Sequence, residues 1–146
     1  MTTSSSTSTT SVQPYLDFGG HCEEALEFYC KALGAEIEML TRFNESPEPQ
    51  GELPECFQNK VMHARLRIGS SVLMASDGRC EGEPNFEGFS LAITPADEGE
   101  AERVFEALSQ DGLVTMKLEK TFWSPKFGML QDKFGVSWMI SVMHKS

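Results

Sequence analysis

The chain has 146 residues, 40% of them apolar, and carries 12 basic side chains against 22 acidic ones for a net charge of −10. That length suits one domain or two small fused modules, and no apolar run reaches the roughly 20 residues needed to cross a bilayer. So acidic a surface repels a nucleic-acid duplex and an anionic membrane, and neither is expected as a partner.

Residues 1–11 are almost all Ser and Thr. They have neither a basic start nor an apolar stretch, so no secretory signal is expected, only a disordered tail. Residues 12–18 alternate as a strand does. Residues 21–33 carry Ala25, Phe28, Tyr29 and Ala32 at the spacing that puts apolar side chains on one helix face, and Gly34 follows as a stop. Strands are expected at 35–43, 60–68 and 71–77, with a tight hairpin at Gly69-Ser70-Ser71. Between the first two lies a long loop, 44–59, with Pro47, Pro49, Gly51 and Pro54. It reads as solvated surface or a partner contact ahead of a lid. The same order then returns. A strand pattern at 88–94 leads through Thr94-Pro95-Ala96-Asp97, a capping-box-like start with Pro in the first turn, into a helix over 97–109. That helix carries Ala101, Val104, Phe105 and Leu108 on one face and is closed by Gly112. Strands follow at 113–118, 126–131 and 136–142, the last two joined by Asp132-Lys133-Phe134-Gly135. The order is βαβββ twice, an α+β layout with helices on one face of the sheets. The modules are 12–78 and 88–143, and together they make one domain over 12–143. Cys22, Cys30, Cys56 and Cys80 have neither CxxC nor zinc-finger spacing, which reads as reduced thiols in a cytoplasmic protein.

Four words in this sequence carry a resemblance. They are Pro14-Tyr15-Leu16-Asp17-Phe18; Ala25 with Phe28-Tyr29 and Leu33-Gly34-Ala35; Thr121-Phe122-Trp123; and Asp132-Lys133-Phe134-Gly135-Val136 with Trp138-Met139-Ile140. Together they resemble the PhnB-like branch of the vicinal-oxygen-chelate superfamily, which includes glyoxalases, bleomycin-resistance proteins and extradiol dioxygenases. The resemblance implies a curved mixed sheet in each module, a shared cavity and a homodimer. Catalytic members hold one divalent metal with side chains from the first and last strand of each module. They act as lyases, isomerases or dioxygenases on substrates with two neighbouring oxygens. Other members only bind and sequester. Branches of the family carry a ubiquinone-methyltransferase label. This sequence shows no Gly-rich strand-to-helix turn that would seat a nucleoside cofactor, so methyl transfer is not expected.

Strand alternation assigns the faces. Val12, Pro14, Leu16 and Phe18, Leu73 and Ala75, Phe89, Leu91 and Ile93, and Val136, Trp138, Ile140 and Val142 should pack on the helices. Gln13, Tyr15 and Asp17, Val72, Met74 and Ser76, Gly88, Ser90 and Ala92, and Ser137, Met139 and Ser141 should face the cavity. The resemblance places the metal ligands at Gln13, Met74, Gly88 (or Phe89) and Met139. A divalent ion wants imidazole or carboxylate donors, so no cofactor is expected there. A displaced ion held by Asp17 and His63, with a water or Asp77, is the open alternative, against His63 as a hydrogen-bonded strand histidine. His21 and His144 are expected to be exposed.

In the third strand Met62, Ala64, Leu66 and Ile68 form the apolar side, while Val61, His63, Arg65 and Arg67 take the other. A guanidinium fork matches carboxylate or phosphonate oxygens. The expected ligand is therefore small and anionic, or carries vicinal oxygens, held by Arg65 and His63 with Tyr15, Phe122 and Trp123 as walls. The full ligand-binding set is Gln13, Tyr15, Asp17, His63, Arg65, Met74, Trp123 and Met139. The plain alternative is a wet strand face with its arginines paired to surface glutamates. No His is placed to activate Ser76, Ser90 or Ser141, and Lys133 is expected to serve its turn. The competing functions are a metal-free small-molecule binder, a metal-dependent enzyme with shifted ligands, and a resistance protein without turnover.

Overall fold

The structure, a computed structural model, describes residues 10–45, 59–78 and 84–143. Most of the expected tail, most of the 44–59 loop, Cys56, Cys80 and His144 lie outside the described residues.

The elements are β1 (Tyr15–Asp17), α1 (Cys22–Leu33), β2 (Glu36–Arg42), a 3-10 turn (Phe43–Glu45), β3 (Val61–Ile68), β4 (Ser71–Ser76), β5 (Leu91–Ile93), α2 (Glu98–Leu108), β6 (Leu113–Glu119), β7 (Phe127–Gln131) and β8 (Ser137–Ser141). They form two four-stranded sheets, β1-β4-β3-β2 and β5-β8-β7-β6. Within them β1/β4 and β5/β8 run parallel and the other pairs antiparallel. This is the α+β, two-module architecture with mixed sheets. β1 and β5 are shorter than the alternation predicts. Glycines at positive φ interrupt regular strand geometry nearby, Gly19 (φ 57°) after β1 and Gly88 (φ 87°) ahead of β5. Phe89 accordingly falls outside β5 and is 44% exposed instead of packed.

α1 buries Cys22, Ala25, Leu26, Tyr29 and Ala32 and ends at Gly34 in the left-handed conformation (φ 67°). Its N-terminus has no side-chain cap from His21. The carboxylate of Asp77, just past β4, accepts the Gly20 and Cys22 amides instead, both at 2.8 Å. α2 is capped by Asp97, which accepts the Glu100 amide at 2.8 Å. Pro95 therefore stands ahead of the helix. Gly112 is not its stop either, since α2 ends at Leu108 with Ser109 in the cap position. The reason for glycine at 112 is space: a Cβ there would lie 2.3 Å from the Gln131 carbonyl oxygen.

Register corrects one face assignment. Thr41 pairs with His63 but Arg42 with Val61. Met62 is therefore an extra residue, a bulge that reverses the alternation below it. Val61 falls on the core side, 1% exposed, where its amide donates to Asp77 Oδ2 at 3.0 Å.

The helix-facing sides of both modules share one apolar core. Phe18 of the first meets Phe86 and Phe134, at 5.4 and 6.1 Å between ring centroids, and Tyr29 meets Trp138 at 5.5 Å. Lys133 sits with Nζ 4.9 Å from the Phe28 ring centroid, so its role is packing across the modules. The opposite face of each sheet is left open.

Candidate functional site

On the open face of the first sheet, hydrogen-bonded strands line up Tyr15, Met74, Arg65 and Met39 in one row. His63 lies one place along β3, and its ring stacks on Tyr15 with centroids 5.8 Å apart and planes at 27°. Tyr15 is half exposed. Four of the expected residues, Tyr15, His63, Arg65 and Met74, are thus brought together.

The two arginines of this face differ. Arg67 is engaged with Glu36 and lies 3.5 Å from Glu38. For Arg65 the ion-pair contact among the described residues runs from Nε to Glu38 at 3.9 Å, too long for a hydrogen bond. Nearby, Arg42 grips Glu23 with two bonds of 3.0 and 2.8 Å. That pairing holds the Glu23 carboxyl below its usual range and raises Arg42.

The other expected residues lie elsewhere. Gln13 precedes β1 and lines a cleft of about 830 Å³ between the modules, together with Leu73, Ser90, Thr94, Glu100 and Trp138. That cleft is not formed by Arg65 or His63. Asp17 turns to its own loop, where Oδ1 accepts the Gly19 amide at 2.9 Å. Its carboxylate also fills the space beside Gly78, where a Cβ would meet Oδ2 at 2.7 Å. Asp77 is buried, and its two oxygens take three backbone amides. It faces the helix side and does not join His63 around an ion. Among the described residues no three His, Cys, Asp or Glu side chains gather as metal ligands.

Met139 is on β8 of the second sheet, and Trp123 is in the connection between β6 and β7. Met139 pairs with Met129, and Trp123 packs edge-on against Phe127 at 5.3 Å. The turn that presents Trp123 is pinned by buried Ser124, whose hydroxyl donates to the Val142 carbonyl at 2.6 Å. Phe122 at its tip is 92% exposed.

Two buried carboxylates were not singled out as anchors by alternation. Asp77 closes α1, and Asp132 accepts from the Phe134 and Val136 amides, the Tyr29 hydroxyl and the Trp138 indole. Acidic residues just past strand ends, with Gly one place on (Asp77-Gly78) or three (Asp132 to Gly135), were the available signal. Potential nucleophiles on α1 are quenched. Burial, then the charge of Asp77, pushes the Cys22 thiol far up. Burial also raises Cys30.

The glycines Gly19 and Gly20 do form the turn from β1 into α1, a place where a phosphate could bind. Their amides, with that of Cys22, already donate to Asp17 and Asp77.

The family model described as 3-demethylubiquinone-9 3-methyltransferase matches residues 10–141. Protein YjdN of Escherichia coli (strain K12) is 35% identical in an alignment of 142 residues that covers 90% of this chain and 95% of that protein. The crystal structure of protein PA1353 from Pseudomonas aeruginosa is similar at 40% identity and a TM-score of 0.81, covering 94% of this chain and 100% of that one. A putative 3-demethylubiquinone-9 3-methyltransferase, PhnB protein, from Bacillus cereus follows at 30% identity and TM-score 0.75, covering 91% and 99%. A glyoxalase-related enzyme from Fulvimarina pelagi shares the fold at 16% identity and TM-score 0.59, covering 92% of this chain and 88% of that one. The chain belongs to the 3-demethylubiquinone-9 3-methyltransferase family, as a PhnB-like member of the vicinal-oxygen-chelate superfamily.

Proposed function

We propose that this protein binds a small anionic or vicinal-oxygen ligand on the open face of its first sheet, without the divalent metal of its catalytic relatives. The observation that carries this reading is the contrast between Arg67, engaged by Glu36 and Glu38, and Arg65, whose approach to Glu38 is long at 3.9 Å and whose row includes Tyr15, stacked on His63. A guanidinium so placed gives two parallel donors for a carboxylate or phosphonate. The imidazole adds a further donor, and Tyr15 and Met74 supply apolar contact.

The donor set at the positions expected to hold a metal is an amide, two thioethers and a glycine (Gln13, Met74, Met139 and Gly88), which does not suit a divalent ion. Methyl transfer finds equally little support. The strand-to-helix turn that could receive a nucleotide phosphate is filled by Asp17 and Asp77, both negative and both hydrogen-bonded. A second copy is the natural cover for the open faces, closing the cavity as a homodimer.

The test is thermal. Oxalate and phosphonoacetate should raise the melting temperature of the wild type in a concentration-dependent way. Arg65→Ala should abolish that shift, and Arg67→Ala should leave most of it. Equal shifts in wild type and Arg65→Ala would sink the reading.

A further inference from the structure

The two modules repeat one another down to a backbone irregularity. In the first, Glu36 and Ile37 pair with Arg67 and Leu66, then Met39 pairs with Arg65, so Glu38 is an extra residue in β2. In the second, Leu113 and Val114 pair with Gln131 and Leu130, then Met116 pairs with Met129, so Thr115 is the extra residue in β6. The same bulge at the same place makes the rows comparable position by position. The first-sheet row reads Tyr15, Met74, Arg65, Met39. The second-sheet row reads Ala92, Met139, Met129, Met116. Two methionines stand at equivalent places in both. A third, Met129, stands where the first sheet has Arg65.

The second sheet therefore carries three thioethers on three adjacent strands, side by side on its open face. Register partners on neighbouring strands lie about 5 Å apart at Cα. Each methionine has three rotatable bonds beyond Cα, enough for Met139 and Met116 to lean their sulfurs toward Met129. None of the three is buried, and Met116 is 45% exposed. At the end of the row Ala92 leaves space beside Met139. Phe127 occupies the next place on the same face of β7, and half-exposed Trp123 stands against it. That puts an indole at the border of the thioether row, suited to lie near a cation.

We infer that Met116, Met129 and Met139 form a site for a soft monovalent cation, Cu(I) in chemical class, with the Trp123 indole at its edge. Thioethers are soft, neutral donors that favour Cu(I) and its analogue Ag(I) over hard or borderline divalent ions. A neutral donor set leaves the bound cation's charge uncompensated locally, and the protein's net charge of −10 lowers that cost. This inference uses none of the first-sheet residues Tyr15, His63, Arg65 and Met74.

The test uses full-length protein labelled with ¹³C at the methionine methyls, with its accessible cysteines first blocked by iodoacetamide. Silver nitrate is titrated in chloride-free buffer. The methyl signals of Met116, Met129 and Met139 should move together and saturate at one Ag(I) per chain, with quenching of Trp123 fluorescence that is lost in Trp123→Phe. Met129→Leu, which keeps the side-chain volume, should weaken Ag(I) binding at least tenfold. Met116→Leu and Met139→Leu provide the same reading should Met129→Leu fail to fold. Mg(II) should move none of the three signals. The inference is overturned if Ag(I) shifts no methyl, if it shifts the methionines simply in order of exposure with Met143 first, or if the leucine variants bind as tightly as wild type.

Discussion

Tyr29 and Trp138 come from different modules and donate to the same carboxylate oxygen of Asp132, at 2.6 and 2.9 Å. Burial, then the charge of Asp132, pushes the Tyr29 phenol far above its ordinary range. The consequence for stability has a definite sign. An unfolded tyrosine ionises near pH 10, while the folded one stays neutral well beyond that. The stability contributed by the neutral phenol is complete below about pH 10 and is lost as the pH rises through the folded value. Tyr29→Phe removes a buried hydrogen bond to a charged group and should cost about 1–3 kcal/mol at pH 8. It also removes the alkaline loss, so the gap between variant and wild type should narrow at pH 10.5. Urea unfolding at the two pH values checks this, and a constant gap would contradict it. At this scale the sequence was least informative. Asp77 and Asp132 are acidic residues beside turns in the linear chain. What makes them anchors is three-dimensional: an oxygen of each receives donors from segments remote in sequence.

Glycines at element ends separate two kinds of constraint. Gly34 needs a left-handed backbone but has open space around it, with nothing within 4 Å of an added Cβ. Gly112 has no positive φ but no room either, because the Gln131 carbonyl would be 2.3 Å away. Gly34→Ala should cost about 1 kcal/mol through its backbone conformation. Gly112→Ala should cost more, since β6 must shift from β7 to relieve the contact, and paired melting curves would rank the two. The same contrast shows how far the elements could be read in advance. Helices with Ala25, Phe28, Tyr29 and Ala32, or Ala101, Val104, Phe105 and Leu108, announce themselves by period, and both are found within a residue of the expected start and stop. Strand faces follow alternation in β4 and β8, where every expected core residue is buried. Alternation fails where a bulge intervenes, because one extra residue, Met62, reverses the side of Val61. It fails again where a strand is cut short, as at Phe89.

For the whole molecule, the two-module fold was legible because the repeat is a long-range pattern. The candidate site was only partly legible. Tyr15, His63, Arg65 and Met74 do converge, since strand order and register carry them to one row and its neighbour. Met139 stands on the other sheet from Arg65, and Trp123, in the β6–β7 connection, packs on Phe127 of that same sheet. The single core that joins the modules implies coupled unfolding. Asp132→Ala should speed amide hydrogen exchange in α1 as well as in β8, because Tyr29 and Trp138 lose their common acceptor. Faster exchange confined to β8 would show that the modules open separately.

The matched bulges at Glu38 and Thr115 have a consequence of another kind. They make the protein a duplicated scaffold whose two halves offer equivalent sockets. A guanidinium in one socket and a thioether in the other give two chemical temperaments, hard and soft, on one backbone plan. Divergence after duplication then needs no new loop or strand. A change of side chain at a single matched position, Arg65 against Met129, is enough to make the two open faces chemically unlike.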